Sequence, residues 1–169
     1  MKMKYKPKEL GIMALFISIG IILQYVENYI MISPVPGGKL GLSNIISIIN
    51  IFMFGGANAM VISLVRAFLG TLITGGVTAL PYSISGAFIS TLVMSLLRKY
   101  CYPRLSMIGM SVIGASLHNV AQICVASLVM SSFYIFSYLP FLLIIAVISG
   151  MITGYSAQVF GNRILKTGE

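Results

Sequence analysis

Aspartate does not occur in this chain, and its three acids are Glu9, Glu27 and Glu169. That absence excludes the clustered aspartates which hold a magnesium-bound diphosphate. His118 is the one histidine, so no zinc site is expected either. The two cysteines, Cys101 and Cys124, show neither metal nor redox spacing. One falls in an expected loop and the other inside an expected membrane span, so no disulfide framework is expected. There is no Walker A motif, hence no ATP hydrolysis by that route, and no Ser-His-acid set. The chain is therefore not expected to be an enzyme on its own, and no metal or cofactor is expected.

Charge is scarce too. Charged residues make up 8% of the chain, hydrophobic residues 58%, and the mean hydropathy is +1.00. A soluble domain carries about 25% charged residues, so lipid must be the main solvent here. Five apolar stretches approach or exceed the roughly 18–20 residues that cross a bilayer: Leu10–Ile32, Ala57–Thr74, Leu80–Leu97, Leu105–Met130 and Leu139–Phe160. Leu42–Phe54 is shorter, and Gly55-Gly56 parts it from the next stretch as a tight turn would. The first stretch is long and lacks a clean cleavage site, so it reads as a retained helix.

The basic residues decide the count of spans. With six, one side of the membrane receives Lys2, Lys4, Lys6, Lys8, Arg98, Lys99, Arg104, Arg163 and Lys166, and the other receives Lys39. Cytoplasmic loops collect Lys and Arg. The expectation is an all-α, six-helix polytopic bundle, a single transmembrane domain with both termini cytoplasmic. The net charge of +8 is then a topology signal and a contact for anionic lipid, not a nucleic-acid footprint.

Small residues recur every four positions: Ala59, Ser63, Ala67, Thr71 and Gly75; Ser83, Ala87, Thr91 and Ser95; Ala146, Gly150 and Gly154. Such rows let helix backbones approach closely in lipid, and internal packing is their first reading. Polar residues inside apolar stretches are the functional candidates. Arg66 lies mid-span, where it costs about 2.5–3.5 kcal/mol on insertion scales. It is expected to face the interior, with Gly70 leaving room one turn away. It either pairs with Glu27 or anchors a ligand. Glu27 shares a face with Gln24 near the outer end of the first helix. His118 and Gln122 share a face at i, i+4, with Asn119 beside them. The outer loop Pro34–Asn44 carries Lys39 and ends on Asn44; it is either a rigid turn or a cover over a ligand. Tyr25, Tyr29, Tyr82 and Tyr138 are expected as interfacial anchors. Glu27, Lys39, Asn44, Arg66, His118, Asn119 and Gln122 thus form the candidate substrate cavity.

The segments Lys39-Leu-Gly-Leu-Ser-Asn44, Ser63-Leu-Val-Arg-Ala-Phe-Leu-Gly70 and His118-Asn-Val-Ala-Gln122 occur in this order. With Tyr138-Leu-Pro140 and Gly150-Met-Ile-Thr-Gly154, they resemble a bacterial membrane family labelled heptaprenyl diphosphate synthase component I, also Gx transporter. That family is similar to the substrate-binding S components of energy-coupling factor transporters. The resemblance implies a multi-pass protein of the bacterial plasma membrane that binds a small, vitamin-like or hydrophobic and anionic substrate. It implies docking on a transmembrane T component with two ATPases, and a cover role for Lys39–Asn44. It places the docking face on the first helix, where Ala14 and Ser18 stand four apart and Ser replaces the Ala common in that class. The alternative is a non-catalytic membrane accessory subunit of polyprenyl diphosphate or quinone synthesis.

Overall fold

The computed structural model describes residues 7–30, 41–74 and 76–167, the side chains at 28, 30 and 162–167 excepted. Among these residues every element is helical: α1 (Pro7–Ile30), α2 (Asn44–Thr74), α3 (Leu80–Cys101), α4 (Met107–Val129) and α5 (Leu139–Thr167), with short 3-10 turns at Val77–Ala79 and Phe133–Tyr138. The ends follow local chemistry. Pro7 opens α1 and Pro81 lies in the first turn of α3, where a missing N–H costs nothing. Ser106 caps α4 by accepting the Gly109 N–H at 3.2 Å. Arg98 and Lys99 sit in the last turn of α3, facing the negative end of its dipole.

Counted with residues 44–74 as one element, five helices are long and apolar enough to cross a membrane. The chain is a multi-pass membrane protein. Yet α2 is not one straight rod. Gly55 has φ 81 and ψ 168, outside the helical region and in space that favours glycine. The Ser47 and Ser63 hydroxyls lie 2.8 Å apart, eight residues to either side of it. On a straight helix sixteen residues rise about 24 Å. The two arms, residues 44–54 and 56–74, therefore fold back against each other.

Arg98 holds the tip of this hairpin. Its guanidinium donates to the carbonyls of Ile51 and of Phe52, the latter at 3.1 Å, and stacks on the Phe52 ring at 4.8 Å. The last carbonyls of the first arm have no intrahelical partner, and in lipid that lack is costly. A residue that reads as a topology signal in the sequence thus also terminates a helix.

The described rows of small residues are largely buried inside the bundle, as packing surfaces. A Cβ added at Gly150 would lie 2.6 Å from the Val112 Cα, and one at Gly154 the same distance from the Ile108 Cα. The backbones of α4 and α5 therefore touch, and Ser111 and Thr153 hydrogen-bond across them at 2.8 Å. The apolar core gathers Met13, Phe16, Ile48, Ile51, Ile62, Met94 and Met110 toward the end that carries Arg98. Polar side chains occupy the other half of the interior.

Candidate functional site

The polar interior is built from α1 inward. Gly20, Gln24 and Glu27 recur at i, i+4 and i+7, so they share one face of α1. That face meets the second arm of α2. Gly20 leaves the space that the stem of Arg66 fills: an added Cβ would come within 2.3 Å of the Arg66 Cδ. Gly70 leaves room for Gln24, not for Arg66 as its spacing suggests, and the Gln24 amide donates to the Thr71 hydroxyl at 3.2 Å. Arg66 is 2% exposed and Glu27 1% exposed, so burial works against the Arg66 charge and the Glu27 carboxylate offsets part of that cost. Opposite charges in a low-dielectric interior offset each other's desolvation. Glu27 is thus a buried carboxylate near the outer end of α1.

The turn at residues 41–44 runs from this face to α4. Gly41 has φ 83 and donates its N–H to Glu27 Oε1. Its Cβ position lies 3.0 Å from Asn44 Nδ2 and 3.9 Å from the Ala115 Cβ, so Asn44 and α4 stand within about 7 Å of each other. The turn closes on itself, with Asn44 N–H donating to Gly41 O at 2.9 Å. The first arm of α2 starts here, with its N-terminus inside the bundle and Asn44 fully buried.

Three faces of α4 divide the work. Asn119 turns to α5 and donates its amide to the Leu142 carbonyl at 3.0 Å. His118 turns to α3, where its ring occupies the space beside Gly86. Ala115 and Gln122 are seven residues apart, two turns on one face, and Ala115 is the residue that meets Gly41. Among the described residues, both amide atoms of Asn44, both amide atoms of Gln122 and Arg66 Nε have no hydrogen-bond partner. Buried polar atoms of that kind are uncommon and call for an explanation.

Of the seven expected site residues, six are described, and all six are buried. Lys39 lies outside the described residues, as does the loop before it. Gly41 touches both Glu27 and Asn44, whereas Asn119 serves a helix–helix contact. Ala14 and Ser18 are exposed on the opposite side of α1, and Ser18 spends its hydroxyl on the Ala14 carbonyl at 3.0 Å. Tyr25, Tyr29 and Tyr138 are exposed, but Tyr82 is 5% exposed and belongs to the interior. Gly20 and Gly86 went unassigned in the sequence reading. Their signal was available in part, since Gly20 continues the Gln24–Glu27 face.

Among the described residues, no group of three His, Cys, Asp or Glu comes together as a metal site would require. Two surface grooves of about 600 and 470 Å³ flank the hairpin tip at Arg98, with mostly apolar walls. They are separate from the polar interior.

The profile of the family described as heptaprenyl diphosphate synthase component I matches residues 16–160. The chain belongs to that family. No curated protein and no solved structure matches it.

Proposed function

We propose that this member of the heptaprenyl diphosphate synthase component I family is a non-catalytic, substrate-binding subunit of an ATP-driven importer. It would play the part of an S component in an energy-coupling factor transporter. One observation carries this reading: Asn44 and Gln122, from two separate helices, are buried with both amide atoms unpartnered among the described residues, as is Arg66 Nε. Intramembrane polar groups of this kind mark substrate paths more often than packing. Asn119, by contrast, spends its amide nitrogen on a structural hydrogen bond between helices.

The topology belongs to the same proposal. The helical segments 7–30, 44–54, 56–74, 80–101, 107–129 and 139–167 run alternately, so both termini lie on one side of the bacterial plasma membrane, the cytoplasmic side. The first arm of α2 rises about 16 Å, half the hydrocarbon thickness. It places the Asn44 terminus at mid-depth, where a substrate from outside would meet the helix dipole. The partners are a transmembrane T component and two ATPases, docked on the exposed Ala14–Ser18 face of α1. Small residues there permit close helix approach.

The family description favours a second reading, a membrane companion to a separate prenyl synthase. One experiment separates them: gentle affinity purification from native membranes, with mass spectrometry of what co-purifies. Recovery of a T-type membrane protein and paired ATPases is the expected outcome. Recovery of an aspartate-rich prenyl synthase without ATPases would replace the importer reading with the second one.

A further inference from the structure

We propose that the groove between the second arm of α2 and α3 binds an anionic phospholipid, with its phosphate at Arg98 and Lys99 and one acyl chain lying along α3. The site is separate from the polar interior and stands or falls independently of the importer reading.

The groove has a definite shape. Its volume is about 600 Å³, within the roughly 300–1,000 Å³ of ligand clefts. Its floor is where the two helices touch: a Cβ added at Gly56 would lie 2.8 Å from the Ser95 Cβ. Along α3 the lining positions Leu92, Leu96 and Lys99 recur at i, i+4 and i+7, so the groove follows one face of that helix. Seven residues rise about 10 Å. Over that length the lining changes from leucine to cation. Leu92 lies deep in the span, and Arg98 and Lys99 lie in its last turn. A phospholipid has the same order, with phosphate at the interface and chain inward. Leu92 and Leu96 are 37% and 46% exposed, and lipid chains solvate such surface in a membrane protein. The groove is thus open to the bilayer from the side, and its occupant comes from there.

Charge chooses among lipids. Lys99 is exposed and Arg98 half-buried. The Ile51 and Phe52 carbonyls take two of the guanidinium's N–H donors but leave its charge in place. Among the described residues, no acid lines the groove. Two cations at the mouth of an apolar channel favour a head group of net negative charge, as basic pockets between membrane helices do. A phosphocholine brings its own cation and gains less there. The basic side of the sequence attracts anionic lipid as a whole; the groove gives one lipid a place.

The test uses the purified full-length protein in nanodiscs of equimolar phosphatidylglycerol and phosphatidylcholine. Native mass spectrometry then counts the lipids that stay bound on release. Retention of phosphatidylglycerol in preference to phosphatidylcholine is expected. Lys99→Gln should cut that preference about fivefold. Ala57→Phe fills the groove and leaves every charge in place, and it should lower the retained lipid. Arg104→Gln removes a cation at the same end that does not line the groove, and it should change nothing. All three positions are exposed, so the variants are expected to fold. Equal retention of both lipids by the native protein overturns the proposal. So does an equal loss in Arg104→Gln and Lys99→Gln, which would mean diffuse attraction without a site, or unchanged retention in Ala57→Phe. Displacement of the retained phosphatidylglycerol by farnesyl diphosphate would hand the groove to a prenyl diphosphate, and a dimer that retains no lipid would hand it to a second copy of the chain. Either overturns the phospholipid assignment.

Discussion

At the scale of single residues, Arg66 illustrates how a costly side chain is accommodated. Its stem lies where Gly20 has no side chain, and the opposite charge of Glu27 offsets part of its desolvation. Glu27 in turn accepts the Gly41 N–H, so one carboxylate ties α1 both to the hairpin and to the turn that precedes it. Arg66→Ala strands a buried carboxylate and should cost about 3–5 kcal/mol. Adding Glu27→Gln should recover part of that loss, because the remaining oxygen still accepts the Gly41 N–H and no lone charge is left. Thermal melts followed by size-exclusion chromatography in detergent check this double-mutant cycle. Equal or worse stability in the double variant would mean that Arg66 answers to other groups. A partnership of Arg66 with Glu27 stood in the sequence as one of two alternatives, the other a bound ligand, since a mid-span Arg needs a partner and acids are few. Which glycine makes the room was not legible. Gly70 is nearer along the chain, whereas Gly20 is nearer in space, and only helix packing decides between them.

At the scale of elements, the hairpin of α2 is the feature that sets the architecture. The first arm is too short to cross the membrane alone, and it survives by leaning on the second arm and by the Arg98 cap. Replacing Cys101 and Cys124 by Ser and introducing Ser47→Cys with Ser63→Cys should give spontaneous disulfide formation. The native hydroxyls are already 2.8 Å apart. Tryptic mapping of the non-reduced protein detects the link, and its absence would mean the arms do not fold back. The Gly55-Gly56 pair announced a break in the sequence, but a break alone does not tell a bend from a reversal. The Ser47–Ser63 contact does. A different lesson comes from α1, which among the described helices packs on α2 alone. It buries the Gly20–Gln24–Glu27 face and leaves Leu15, Ile19 and Ile22 exposed to lipid or a partner.

At the scale of the whole molecule, the basic residues and the hairpin make one statement about orientation. On the proposed topology a reversal at Gly55 returns the chain to the side it came from, and Lys8, Arg98, Lys99 and Arg104 share a side. In a cysteine-free background with spheroplasts, Lys99→Cys should resist a membrane-impermeant maleimide, and Ser131→Cys, at the far end of α4, should react. The reverse pattern, or labelling of both, would overturn the proposed orientation. Periodicity and composition determined that the protein is helical, spans the membrane several times and packs through small residues, because lipid penalises any other backbone and any broad charged surface. The candidate polar residues were also there to be listed, since each stands out against an apolar background. What the tertiary structure decided is how they divide. Asn119 goes to α5 and His118 to α3, while Gln122 and Asn44 stay buried with their amides unpartnered among the described residues. A difference of one residue turns a helical side chain by about 100°, and the neighbour that waits there is supplied by another helix, which no reading of a single segment contains.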